Sequence, residues 1–138
     1  MAYVDYDLWD GQDADLSWTA VAQLLERSQS RETDRVDAEL DRIDQQLARR
    51  DRIHTEIVDE LEWEIERYTA QLERLYRSTI GTQHGERTAI KDRLVRLQQD
   101  RREEQRRHWR DRQELERERR DLLRDLAAIE DEDLSELL

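Results

Sequence analysis

From Val36 onward the apolar residues recur in steps of four and three: Val36, Leu40, Ile43 and Leu47, then Ile57, Leu61, Ile65, Tyr68, Leu72 and Leu75. That period puts them on one stripe of an α-helix. The doubled step of four between Ile57 and Ile65 is a stutter, which locally unwinds a left-handed supercoil. A second periodic run begins with Ile90, Leu94 and Leu97 and resumes with Leu115, Leu122, Leu126 and Ile129. Between 98 and 114 its apolar positions almost vanish. The two runs are separated by STIGTQHGERT, residues 78–88, where Gly81 suits the position after a helix end and Gly85 lets the chain turn again. So short a connection makes the helices antiparallel neighbours. The pattern predicts an all-α fold: a long antiparallel helical hairpin (coiled coil) over 31–138, turning near 78–88, with its second helix from about Thr88 to Glu130.

Upstream the pattern is weaker. Residues 16–30 read as a short amphipathic helix, with Trp18, Val21 and Leu25 on one side and Leu24 beside them, capped by Asp15 or Ser17. Ser28-Gln29-Ser30, followed by Thr33, offers a break before the long helix. Residues 1–15 read as an extended acidic arm carrying Tyr3, Tyr6 and Trp9.

Composition narrows the class. The chain has 138 residues, one domain's worth, with 43% charged and 36% apolar residues, no proline, no cysteine and three glycines. Without proline there are few places where a helix must stop. Without cysteine there are no disulfides, thiolate metal sites or cysteine nucleophiles. The net charge of −12 argues against nucleic acid or an anionic membrane as the main partner. Lys91 is the single lysine among 24 basic residues. An acidic, arginine-over-lysine composition matches proteins of salt-adapted (halophilic) hosts, although a GC-rich genome produces the same arginine bias. The first residues have neither a basic region nor an apolar run, so no signal peptide is expected. The longest uncharged run, Leu16–Leu25, is too short to cross a bilayer. The expectation is a soluble protein of the cytoplasm, or of a virion.

Nine of the twenty residues from 101 to 120 are arginine and six are acidic. In a hairpin centred on residue 83, residues 100–110 face 56–66, EIVDELEWEIE. Arg101, Arg102, Arg106, Arg107 and Arg110 then meet Glu60, Glu62, Glu64 and their acidic neighbours, and opposite charges fix orientation and register. Trp63 and Trp109 fall at nearly facing levels and, with Tyr68, widen the apolar stripe for helix pairing or an oligomer contact. At the open end two acidic segments, 33–45 and 121–133, oppose one another. The alternative reading makes the arginines a phosphate-binding stripe.

No phosphate loop, nucleophile elbow or HExxH motif is present, so no enzymatic activity is expected. Two carboxylate–histidine pairs stand out, Asp51 with His54 and Glu104 with His108. They lack the paired Glu-x-x-His motifs of carboxylate-bridged metal bundles. A polar layer that sets register is the preferred reading, and no metal or cofactor is expected. His84 reads as a solvated loop residue.

A two-helix hairpin cannot enclose a substantial core alone. The expected function is that of a non-enzymatic coiled-coil structural, scaffold or adaptor subunit. It would form a homo-oligomer or part of a larger assembly, such as a virus particle or other multi-subunit complex, in a salt-adapted host. Tyr3, Tyr6, Trp9, Trp18, Val21 and Leu25 would contact protein partners. The alternative is a nucleic-acid-associated protein using the arginine-rich 101–120 face.

Overall fold

The computed structural model describes residues 12–78 and 84–131, with side chains from Ser17 onward. Among them there are two α-helices and no strand: α1, Gln12–Arg77, and α2, His84–Glu130. The protein is all-α, with two long helices packed on each other.

Helix α1 runs through Ser28–Ser30 without a break. The expected separate helix over 16–30 is therefore the first part of α1, and the proposed caps Asp15 and Ser17 lie inside it. Serine and glutamine cost at most about 0.7 kcal/mol each in a helix interior relative to alanine. Only a proline or glycine would have forced a stop, and α1 contains neither. Gln29 has in addition a tertiary role: its side-chain amide donates to the Ile129 carbonyl at 2.6 Å. That bond satisfies one of the carbonyls orphaned at the end of α2.

The connection is also shorter than 78–88. Helix α1 ends at Arg77, with Arg74 and Arg77 in its last turn, where cations favour the dipole. Helix α2 already starts at His84, with Glu86 in its first turn. The Thr88 hydroxyl donates back to the His84 carbonyl at 3.0 Å. Gly85 is thus a helical residue with open space where a Cβ would go, rather than a turn residue. Gly81 lies outside the described residues.

The chain divides into two compact units, each made of facing segments of the two helices. Among the described residues, one unit comprises 12–43 with 118–131, and the other comprises 44–78 with 84–117. In the first, Val36 and Ile43 are buried, and Gln29 ties α1 to the end of α2. In the second, Ile90 and Leu97 are buried. Its cross-helix ion pairs run antiparallel: Arg50 meets Glu104 and Asp111, Glu62 meets Arg101, and Glu64 meets Arg93.

Segments 56–66 and 100–110 do lie together: Ile57 and Leu61 line a pocket with Asp100, Glu104 and Arg107, and Glu62 meets Arg101. The pairing is nevertheless offset from the one expected, because the partners of Glu104, Arg50 and His54, come from before residue 56. The expectation matched acidic and basic runs across a turn centred on residue 83. In the structure the buried positions set the pairing, and exposed charges follow.

Candidate functional site

The seam of the second unit contains a cluster of ionic side chains. On α1, Leu47, Arg50, His54 and Ile57 continue the steps of three and four. On α2, Ile90, Leu97 and Glu104 are buried at heptad spacing, and His108 follows four residues later. Arg50, His54, Glu104 and His108 therefore occupy positions that the pattern elsewhere gives to aliphatic residues.

Each of two carboxylates is held by an arginine and a histidine from the opposite helix. Glu104 accepts from Arg50 Nη2 at 2.7 Å and from His54 Nδ1 at 3.3 Å. Asp51 accepts from His108 Nε2 at 2.8 Å and from Arg112 Nη1 at 2.5 Å. In both cases the arginine and histidine are four residues apart, one turn on the same helix face. The two imidazoles meet between these groups, stacked with centroids 3.9 Å apart and planes 7° from parallel. Arg50 Nε also reaches Asp111 at 2.7 Å, and Arg112 Nη2 reaches Glu116 at 3.0 Å.

The two carboxylates differ in environment. The Glu104 side chain is 5% exposed and Asp51 is 46% exposed. Burial by itself pushes the Glu104 carboxyl up. The hydrogen bonds from Arg50 and His54, with the nearby Arg50 charge, outweigh burial and leave it below its ordinary value. For Asp51 the hydrogen bond from Arg112 leads, followed by that from His108, and its carboxyl is also lowered. Burial disfavours the Arg50 charge, but Asp111 and Glu104 reverse this and raise its pKa. Arg112 is raised chiefly by Asp51.

These side chains neutralise one another, which limits what the site can do. Among the described residues no group of three or more His, Cys, Asp or Glu side chains is arranged to hold a metal ion. An arginine takes one oxygen of each carboxylate, Arg50 at Glu104 Oε1 and Arg112 at Asp51 Oδ2. Asp51, His54, Glu104 and His108 thus meet as a salt-bridged layer, in which a one-heptad slip would strand Glu104 without its cations.

The remaining singled-out residues fall elsewhere. Tyr3, Tyr6 and Trp9 lie outside the described residues. Trp18 is 57% exposed, Val21 is exposed and Leu25 is half-buried. Trp63 and Trp109 are 60% and 64% exposed, and the Arg67 guanidinium lies 5.6 Å from the Trp63 ring centroid. Tyr68 is half-buried beneath Arg93, which also pairs with Glu64 at 3.5 Å. Arg101 reaches Glu62 at 3.9 Å. Arg102, Arg106, Arg107 and Arg110 are exposed and make no ion pair with any described residue, and neither does Glu60. The internal acidic counterpart expected for this arginine run is thus largely absent. Arg50 and Arg112 were not singled out from the sequence. The signal for Arg50 was its place at the missing heptad step between Leu47 and Ile57. For Arg112 it was the four-residue spacing from His108 that repeats Arg50 to His54.

Two long helices packed on each other and joined by a part-buried ionic layer define an all-α protein. The chain belongs to DUF8104, a family of unknown function, whose match covers residues 4–138. No curated protein and no solved structure matches the chain. Among the described residues no helix is long and apolar enough to cross a membrane.

Proposed function

We propose that this protein is a non-enzymatic coiled-coil subunit that builds assemblies by binding other protein chains, further copies of itself included. One observation carries the reading: among the described residues every tryptophan, and Tyr76, stands more than half exposed. Among the described residues only Val36, Ile43, Ile90 and Leu97 are buried apolar side chains. Trp18, Leu24, Trp63, Tyr76, Val95 and Trp109 are each more than half exposed. Covering a large apolar side chain is worth about 1.5–3 kcal/mol, and two helices alone have no further surface to offer. A second hairpin would turn the pair into a four-helix bundle. A host with high internal salt would suit a chain of net charge −12.

Light scattering on the eluting protein tests this across concentration and at low and high salt. The expected result is a mass at least twice that of one chain, falling on dilution. A single-chain mass under every condition, with no protein partner co-purifying, would overturn the reading.

A second reading, nucleic-acid association through the 101–120 face, gains one observation: Arg102, Arg106 and Arg110 are exposed and make no ion pair with any described residue. The overall charge of −12 opposes it.

A further inference from the structure

We propose that a cationic, acid-free strip along α2 is the docking surface for the acidic N-terminal segment of a second copy of this chain. This rests on the self-association reading above and names the surfaces that would meet.

At 100° per residue, Val95, Arg102, Arg106, Trp109 and Arg110 share one side of α2, together with four glutamines. The strip covers about two-fifths of the helix circumference. It lies on the side opposite the buried Leu97 and Glu104, and so faces away from α1. No Asp or Glu falls on it between Val95 and Gln113, in a chain with 36 acidic residues. Val95 and Trp109 are both well exposed. Arg102, Gln105, Arg106, Trp109 and Arg110 line a groove of about 690 Å³. Arg102, Arg106 and Arg110 make no ion pair with any described residue. A surface with three unneutralised guanidinium groups around an indole suits a ligand that is both acidic and aromatic.

The chain contains such a segment. Its first 26 residues hold six acidic residues and no lysine or arginine, Arg27 being the first basic residue. Asp5, Asp7 and Asp10 alternate with Tyr3, Tyr6 and Trp9. These residues lie outside the described ones, and their side-chain chemistry alone complements the strip. Ten extended residues span roughly 33–36 Å, and the strip from Val95 to Gln113 is about 27 Å long. Carboxylates can pair with the arginines while the aromatic rings stack on guanidinium planes and on Trp109. The pairing replaces repulsion between two acidic chains by attraction at one place, which selects the docking site.

The test uses the full chain carrying the photo-crosslinker p-benzoylphenylalanine at Trp9, with light and heavy isotope-labelled copies mixed. The expected products are mixed-isotope crosslinks from position 9 to peptides within 95–113. Reversing the strip with Arg102→Glu, Arg106→Glu and Arg110→Glu should weaken association at least tenfold, with helix content unchanged by circular dichroism. Mixing that variant with a chain bearing Asp5→Arg, Asp7→Arg and Asp10→Arg should restore it. Crosslinks within one isotope only would assign the segment to its own chain and overturn the proposal. Undiminished assembly by the strip variant would overturn it while leaving the self-association reading intact. A wild-type chain that never associates would remove both. Retention of labelled duplex DNA by the wild type, lost in the strip variant, would reassign the surface to nucleic acid.

Discussion

Arg50→Ala removes the cation from a carboxylate that has little access to water. Arg50 makes two ion pairs, and their worth differs. Its partner Asp111 is 42% exposed, so that pair contributes under about 1 kcal/mol. Glu104 is 5% exposed and the Arg50 side chain 14%. Stripping one partner from a buried pair costs about 3–5 kcal/mol, because the other charge stays behind unpaired. Glu104 keeps its hydrogen bond from His54 at 3.3 Å, which places the expected loss at the low end, about 3 kcal/mol. That is roughly a hundredfold in the folding equilibrium. Replacing Arg50, His54 and Glu104 together by leucine should behave oppositely. The seam would become apolar from Leu47 to Ile57 and at position 104, with Asp51 still held by His108 and Arg112, and stability should be unchanged or higher by about 1–4 kcal/mol. Urea denaturation followed by far-UV circular dichroism measures both. If Arg50→Ala changes stability by less than about 0.5 kcal/mol, as a surface substitution would, then Glu104 is effectively solvated and the layer does not set register.

Four further outcomes are expected. Asp51 and Glu104 both have lowered pKa values in the folded state, so their contribution is complete above their ordinary values of 3.8 and 4.5 and is lost as pH falls through the lower folded values; acid titration of stability should show this loss, and a Asp51→Asn, Glu104→Gln double variant should flatten it. Gly85→Ala should raise stability by about 0.4–1 kcal/mol in thermal or urea melts, since a helical glycine with open space around it gives only unfolded-state entropy away; destabilisation would mean that position 85 is not helical. Ser30→Pro should cost about 3 kcal/mol or a visible share of the helical circular dichroism signal, because α1 is continuous there, whereas a natural break would absorb the proline. Added salt should raise the melting temperature, because screening relieves repulsion in a chain of net charge −12 more than it weakens the shielded pairs; a steady fall would refute this.

The helical class and the place of the interruption were legible because aliphatic periodicity reports burial directly. The facing of 56–66 with 100–110 was legible too, but its offset was not. The offset goes with Arg50, His54, Glu104 and His108, residue types that periodicity ordinarily assigns to solvent. The gap from 98 to 114 in the apolar pattern was filled in phase by ionic residues, so the seam had changed chemistry without ending. The two carboxylate–histidine pairs were visible, but their arginines were hidden among many others. The break expected at Ser28–Ser30 failed for a different reason: weak helix formers do not stop a helix that lacks proline and glycine and gains tertiary support at Gln29. The exposed state of Arg102, Arg106 and Arg110 followed from helical phase, which puts them on the side opposite Leu97 and Glu104, and no count of facing charges could have supplied it.

The ionic layer also bears on which changes in chain length the protein can tolerate. Register is keyed at Arg50 and Glu104, many turns from the connection between Arg77 and His84. Residues inserted into that connection need not shift the helices, and loop entropy charges little for them, about 0.6 kcal/mol per doubling of length. A single residue inserted between Arg50 and Arg77, or between His84 and Glu104, would instead rotate everything beyond it by about 100° relative to the key. Drift in chain length among descendants of this sequence should therefore collect at the hairpin tip, while the helical distances from tip to layer change only in whole heptads and in both arms together.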